Sequence, residues 1–306
     1  MYFFCTITSK EYLFHTLALV EKLDKEKIFI LCLDNYSHNF FNSNILNSKI
    51  TIILINNLES QNNLEKIKNN RNNLEFIFTV KVIFIHFILK RLSKNSLLVY
   101  LDSDIYFFNK IKFLKKELKN YSIFISEHNF SNLNFDKKKF GNFNAGFIAF
   151  KKDDNGLRAV EWWEKKCIQS CSMSVTKNRF ADQKYLNFLS KKFNRIKIIK
   201  NPGINLAPWN ISNYEIQIKK NVIYVDKKPL IFFHFHGYKM ILNILFLKGL
   251  SNYFVKDSYE INFIYYLYSK KVSYYKKKYF IPYLNFLKII KLTIKGVIEK
   301  DLILTY

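Results

Sequence analysis

Glycine and proline are scarce in this chain, with 7 and 4 residues respectively among 306. So few backbone breakers exclude collagen-like chains, Pro-rich linkers and low-complexity disordered segments, which depend on those residues. Cysteine is equally rare, at 4, too few for a disulfide scaffold, and no CxxC or Cys/His zinc spacing occurs. Cys5 and Cys32 fall in apolar runs that read as buried strands. Cys167 and Cys171 would share one face of a predicted helix. All four read as reduced thiols of a cytoplasmic protein. Long hydrophobic runs are missing too: nothing approaches the ~18–20 uncharged apolar residues of a membrane span. The nearest case, residues 76–89, is short and interrupted by Lys81, which suits a buried core helix. The opening stretch, MYFFCTITSKEYLFHTLALVEKL, lacks a basic region ahead of a long apolar run and does not read as a signal peptide.

Acidic residues are the remaining shortage. The 24 Asp+Glu face 49 Lys+Arg, a formal charge of +25. Such an excess points to nucleic acid, an anionic membrane or a phosphorylated substrate. Genomic base bias competes with all three, because Lys, Asn, Ile, Phe and Tyr all have AT-rich codons. What is abundant is apolar: 49% hydrophobic and 18% aromatic residues, ample for a large core in one large domain or two small ones.

Short apolar runs alternate with longer amphipathic ones in the first half, which predicts βαβ units and a mainly parallel sheet. Strands are expected at 2–6, 28–33, 50–55 and 97–101, and helices at 12–23 and 75–92, with 56–73 left as loop or helix. Runs apolar on both faces fit a sheet covered on both sides. Further strands are expected at 122–126, 145–150, 196–199, 222–225 and 230–235, and helices at 161–169 and 182–189. Beyond Gly237 the composition shifts to Lys, Tyr, Leu and Ile, so the chain divides into a catalytic domain, 1–239, and a basic, helical extension, 240–306.

The most informative segment is VYLDSDIYFF at 99–108. A buried strand delivers Asp102 and Asp104 at its C-terminal end, where open α/β sheets bind ligands. In a continuing strand both carboxylates point the same way and can meet one divalent cation. Mg²⁺ or Mn²⁺ is commonly held by one or two carboxylates, with substrate phosphates and water completing the shell. A DxD often marks only a turn; its place against five apolar residues gives it weight, because unpaired buried acids are costly. FNAGFI puts Asn144 and Gly146 at a strand entry, where glycine permits close approach. Asp182 and Gln183 open a helix in ADQKYLN, and capping alone would explain Asp182. FFHFHG ends a strand with His234 and His236 on one face; imidazole suits Mn²⁺ better than Mg²⁺.

Taken in order, YLDSDIYFF, FNAGFIAF, ADQKYLN, NPGINLAPWNI and FFHFHG resemble a bacterial nucleotide-diphospho-sugar transferase. The pattern is similar to glycosyltransferase family 8 and other GT-A glycosyltransferases, over residues 1–240. The resemblance implies a Rossmann-like GT-A fold, α/β with a mixed, mainly parallel sheet and flanking helices. It implies transfer of a hexosyl or related sugar, with retention, from a nucleotide-diphosphate sugar to a glycan or lipid-linked glycan acceptor. Cell-surface polysaccharide synthesis is the implied setting and a UDP-sugar the favoured donor. By the same resemblance Asp102, Asp104 and His234 hold Mn²⁺ (Mg²⁺ being the alternative). Asn144 and Gly146 face the donor sugar or acceptor, and Asp182 and Gln183, the catalytic pair, lie beside the transferred sugar. Thr6, Thr8 and Tyr12 border the nucleoside pocket, with Tyr12 placed to stack on a base. Ser103, His236 and Gly237 complete the substrate contacts; His236 touches phosphate or simply packs. Lys81 or Lys239 supplies a cation toward phosphate, or either is a surface charge. Two positions depart from the family pattern. Ser9 stands where an Asp usually contacts the base, and Tyr238-Lys239-Met240 follows Gly237 in place of Lys-Pro-Trp. With retention no carboxylate base is needed; with inversion Asp182 or Glu127 would serve.

Two other classes compete. A nucleic-acid-binding protein would use the charge and aromatics, although Tyr and Phe lie mostly inside apolar runs. An inactive transferase relative acting as a binding module is disfavoured by intact Asp102, Asp104 and His234. In the extension, Lys288, Lys291 and Lys295 recur at helical spacing opposite Ile and Leu. Such a helix either packs on the domain or lies on an anionic membrane, which would place the protein on the inner face of the cytoplasmic membrane.

Overall fold

The computed structural model describes residues 1–45, 47–58, 64–110, 120–279 and 286–305. Strand and helix alternate through β1 (Tyr2–Thr8), α1 (Leu13–Lys22), β2 (Lys27–Cys32), α2 (Asn35–Asn44), β3 (Ile50–Leu54), α3 (Leu64–Asn69), α4 (Asn73–Arg91) and β4 (Leu97–Leu101). Then come β5 (Ile105–Phe107), β6 (Ile123–Glu127), β7 (Phe143–Lys151), α5 (Asp154–Gln169), α6 (Leu186–Lys192) and β8 (Ile196–Ile199). The central sheet has the order β3-β2-β1-β4-β7-β6-β8. Only β7 runs against its neighbours; every other pairing is parallel. This is the mixed, mainly parallel α/β architecture that the alternation predicts.

Side-chain alternation sends successive residues of each strand to opposite faces, and two apolar layers result. Leu97, Val99 and Leu101 of β4 join α1 on one face, while Leu98 and Tyr100 join α4 and α5 on the other. α4 begins at a capping box: Asn72 accepts from Glu75 N–H at 3.0 Å and Glu75 accepts from Asn72 N–H at 3.2 Å. Its run FIFTVKVIFIHFIL is buried almost all round, as expected of a core helix. α2 was not legible as a helix. It buries only Ser37 and Phe41, and it starts because Asp34 accepts from Ser37 N–H at 2.7 Å. The expected helix at 182–189 is a 3₁₀ turn, Gln183–Tyr185, leading into α6. Of the 56–73 stretch, residues 59–63 lie outside the described residues.

Downstream, β9 (Ile216–Lys219), β10 (Val222–Val225) and β11 (Lys228–Pro229) form a small sheet, and β12 (Phe232–His234) pairs antiparallel with β5. β13 (Lys239–Met240), β14 (Leu245–Leu247) and β15 (Leu302–Leu304) make a third sheet; α7 (Tyr259–Tyr279) and α8 (Phe286–Ile298) lie between β14 and β15 in the chain. Ile264, Tyr265, Tyr268 and Val272 of α7 are fully buried in the apolar layer that holds α1. Its tyrosines turn inward: Tyr268 stacks on Phe235 at 3.8 Å between centroids, and its hydroxyl meets His15 Nδ1 at 2.7 Å. All four cysteines are free and buried. Among the described residues no helix is long and apolar enough to cross a membrane.

Burial lowers His15 to about 4, and burial likewise lowers His128 to about 3, against about 6.5 for an unperturbed imidazole. Between those values the unfolded chain binds more protons than the native one, so stability is retained at neutral pH and lost as pH falls. Urea unfolding at pH 7 and 4.5 should show a loss of about 2.5 kcal/mol per histidine. His15→Gln should shrink that loss by its own share; an unchanged pH dependence would mean that His15 is solvated.

Candidate active site

From β1 the chain winds outward through β2 and β3, then crosses back to β4 on the other side of β1. The loops leaving the C-terminal ends of β1 and β4 therefore part company, the place where open α/β sheets bind ligands. β4 stops at Leu101. The continuous strand expected through the two acids is broken, because Asp102–Asp104 form a turn in which Ile105 N–H donates to Asp102 O at 3.1 Å. Asp102 N–H donates to Gly146 O at 2.8 Å, while Phe235 N–H donates to Asp104 O at 2.9 Å. β5 then pairs with β12, setting Ile105 opposite His234. The turn and this pairing, rather than strand periodicity, bring the acids to the histidines.

His234 Nε2 lies 3.1 Å from Asp104 Oδ1 and 3.9 Å from Asp102 Oδ2. Ligand atoms of Asp104, His234 and His236 all fall within 4.8 Å of one another. Burial by itself would raise Asp104 and lower His234, but their mutual attraction outweighs it. Asp104 is held well below the usual carboxylate range, and His234 is raised. The Tyr100 hydroxyl donates to Asp102 Oδ1 at 2.8 Å. Beneath them runs β7, where Gly146 is required by space. A Cβ there would sit 2.5 Å from His234 Cε1 and 2.6 Å from Asp102 Oδ2. Asn144 Oδ1 accepts from Gly146 N–H at 3.0 Å.

This donor set fits a divalent cation. Carboxylate oxygens and imidazole nitrogens converge, the bare backbone of Gly146 leaves room, and buried His234 Nδ1 has no hydrogen-bond partner among the described residues. His236, which sequence alone left between phosphate contact and packing, is drawn into this group and stays exposed.

A second charged pair flanks the first. Lys81, buried on α4, sits 2.5 Å from Asp182 Oδ2 and 4.0 Å from Asp102 Oδ1. Burial pulls the ammonium down, yet Asp182 and Asp102 outweigh it and the pKa rises; burial raises Asp182 against the pull of Lys81. Ala181, a non-glycine residue at φ 46°, turns the chain into Asp182, and the Trp163 indole N–H donates to Asp182 O at 2.8 Å. Gln183 donates to Phe140 O at 3.1 Å.

At the end of β1, burial and then the charges of Asp104 and Asp102 raise the Tyr12 phenol, so its ring stands within electrostatic reach of the acids. Thr8 Oγ1 accepts from Thr16 Oγ1 at 2.8 Å, whereas buried Thr6 Oγ1 has no partner among the described residues. Ser103 lies in the acidic turn and Gly237 follows His236, while Lys239 is exposed on β13. Trp209 was not selected from sequence. Its ring lies 5.0 Å from that of His234, 5.8 Å from His236 and 5.4 Å from His128. Tyr100 and His128 were missed as well. The Pro208–Trp209 pair within NPGINLAPWNI was the available signal.

No family model matches the chain. It is 30% identical over 250 residues to the uncharacterized protein YfnF of Bacillus subtilis strain 168, covering 78% of this chain and 82% of that one. The chain belongs to the same family as YfnF. A second protein of that organism, the uncharacterized YfnD, is 26% identical over 270 residues, 86% of each. Similar solved structures include galactosyltransferase LgtC in complex with donor and acceptor sugar analogs, at 14% identity over 77% of this chain and 87% of that one, TM-score 0.48. Mouse xyloside xylosyltransferase 1 is 10% identical over 67% of this chain and 87% of that one, TM-score 0.45.

Removing one member of a buried ion pair strands the other charge. Lys81→Met should cost about 3–5 kcal/mol in urea unfolding, and Lys81→Met/Asp182→Asn should recover most of it. Additive losses in the double variant would show that the two side chains act independently.

Proposed function

We propose that this protein is a metal-dependent GT-A glycosyltransferase. It moves a hexosyl or related sugar from a nucleotide-diphosphate donor, a UDP-sugar being favoured, to a glycan or lipid-linked glycan in cell-surface polysaccharide synthesis. One observation carries the proposal: Asp104, His234 and His236 converge within 4.8 Å, beside Asp102, at the β1–β4 switch point. The motif resemblance supports it independently. Bound by Asp102, Asp104 and His234, with His236 adjacent, Mn²⁺ (or Mg²⁺) would act as a Lewis acid toward the diphosphate leaving group.

The chain's own groups do the rest. Tyr12 stacks on the base at the end of β1, with Thr6, Thr8 and Ser103 bordering the nucleotide. Asn144 and Gly146 floor the sugar, and Gln183 lies beside it. Asp182 is engaged by Lys81 at 2.5 Å, which makes it a better acceptor for sugar hydroxyls than a general base. That supports retention, in which the leaving phosphate takes the acceptor's proton. Glu127, the other base considered for inversion, is exposed at the end of β6. Residues 1–239 carry the named groups, and the protein works at the cytoplasmic side, with its acceptor held at an anionic membrane surface.

Thermal melting against a panel of UDP- and GDP-sugars, with and without Mn²⁺, tests the assignment. A cognate donor with Mn²⁺ at a hundredfold excess over Kd should stabilise by about 2.7 kcal/mol. Asp104→Asn, His234→Ala and Gly146→Ala should each abolish the metal-dependent part. A shift that ignores metal, or its absence with every donor, would refute the assignment.

A further inference from the structure

α8 is attached by one side only. Ile289 and Leu292 pack against Ile241, Leu247 and Leu302. Gly296 brings the helix so close that a Cβ would lie 2.2 Å from Leu302 Cδ2. Among the described residues, five further apolar side chains of the helix are exposed. Leu287, Ile290, Ile294, Val297 and Ile298 are 73, 39, 55, 63 and 75% exposed. At 3.6 residues per turn they share one side of the helix, roughly 100° wide. Lys288, Lys291 and Lys295, all exposed, line one edge of that side. A contiguous apolar face of this kind marks an interaction surface.

We propose that this face docks the protein on an anionic phospholipid bilayer, which rests on the transferase reading only for the use made of it, a membrane-held acceptor. Charge decides the occupant. Aliphatic side chains beside a lysine edge suit an interfacial helix, with the chains entering the acyl boundary and the ammonium groups meeting lipid phosphates. A second copy packed face to face would bring the two lysine edges together and repel. The chain's +25 charge adds to the attraction for an anionic surface. Location also fits: Lys288 Nζ lies 2.9 Å from Glu11, the residue preceding Tyr12, so α8 borders the mouth of the candidate site. Docking there presents that mouth to an acceptor in the membrane.

Co-sedimentation of the full chain with vesicles tests the proposal, comparing phosphatidylcholine alone with phosphatidylcholine plus phosphatidylglycerol. Binding is expected to the anionic vesicles and to weaken with salt. Lys291→Gln/Lys295→Gln should reduce partitioning about 25-fold, roughly fivefold per lysine. Ile290→Ser/Ile294→Ser/Val297→Ser should reduce it at least about tenfold. Both variants change exposed side chains, so melting temperature and the donor-plus-Mn²⁺ shift should persist. Loss of docking is thereby distinguishable from failure of the transferase assignment. Equal sedimentation of the wild type and the serine variant would overturn docking through α8. So would a dimer that the serine variant dissociates while neither vesicle binds.

Discussion

Three carboxylates gathered at one end of a buried sheet are the constraint that the rest of this structure answers. Asp102 and Asp104 share one turn and Asp182 comes from a segment far along the chain, and each loses water on folding. Close by stand the Lys81 ammonium, between Asp182 and Asp102, and the His234 imidazole, between Asp104 and Asp102. The Lys81 ammonium alone does not balance three acids, and a divalent ion held there would make up the difference. Supporting features follow from the same need. α4 is apolar nearly all round so that Lys81 can be carried inside, and the Trp163 indole fixes the backbone of Asp182. Gly146 leaves free the space beside the cluster that a side chain on β7 would fill.

The basic charge takes on a narrower meaning against this background. A nucleic-acid surface needs aromatic rings exposed between lysines, but the largest fully buried side chains here are mostly aromatic, Trp163, Tyr265 and Tyr268 among them. Rings build much of the core, while lysines lie mainly outside it, Lys81, Lys184, Lys248 and Lys276 being buried exceptions. α8 is different in kind: lysines border exposed aliphatic residues there, so charge and apolar surface act on the same partner.

Local pattern carried the sheet because its strands are apolar on both faces; β4, β8 and β10 fall where their runs of Leu, Ile and Val begin and end. It could not show the turn at Asp102–Asp104, since DSDIYFF continues the look of a strand. Pairing of β5 with β12, more than a hundred residues later, sets that break. Lys81 left two alternatives open from sequence, phosphate contact or surface charge, because its partner Asp182 is equally distant in the chain. A helical extension was expected beyond Gly237, but the deep burial of α7 was hidden by composition. Tyr and Lys suggest a wet surface, yet tyrosine has a large apolar body and needs only one partner for its hydroxyl. Tyr268 finds His15, as Tyr238 finds Ser269 Oγ at 2.9 Å.

Those tyrosine contacts tie the C-terminal segment to the chemistry. His234 and His236 alternate with Phe235, whose ring is covered by Tyr268 and, at 5.1 Å, by Tyr265 of α7. Tyr238, two residues beyond His236, is bonded to Ser269 on the same helix. One side of the strand end thus bears the imidazoles and the other is clamped by α7. The imidazoles can keep a fixed distance from Asp104 only while that clamp holds the backbone between them. Residues past 240 accordingly act on the candidate site by fixing the strand end that carries two of its donors, and the Tyr253 ring itself lies 6.1 Å from that of His236.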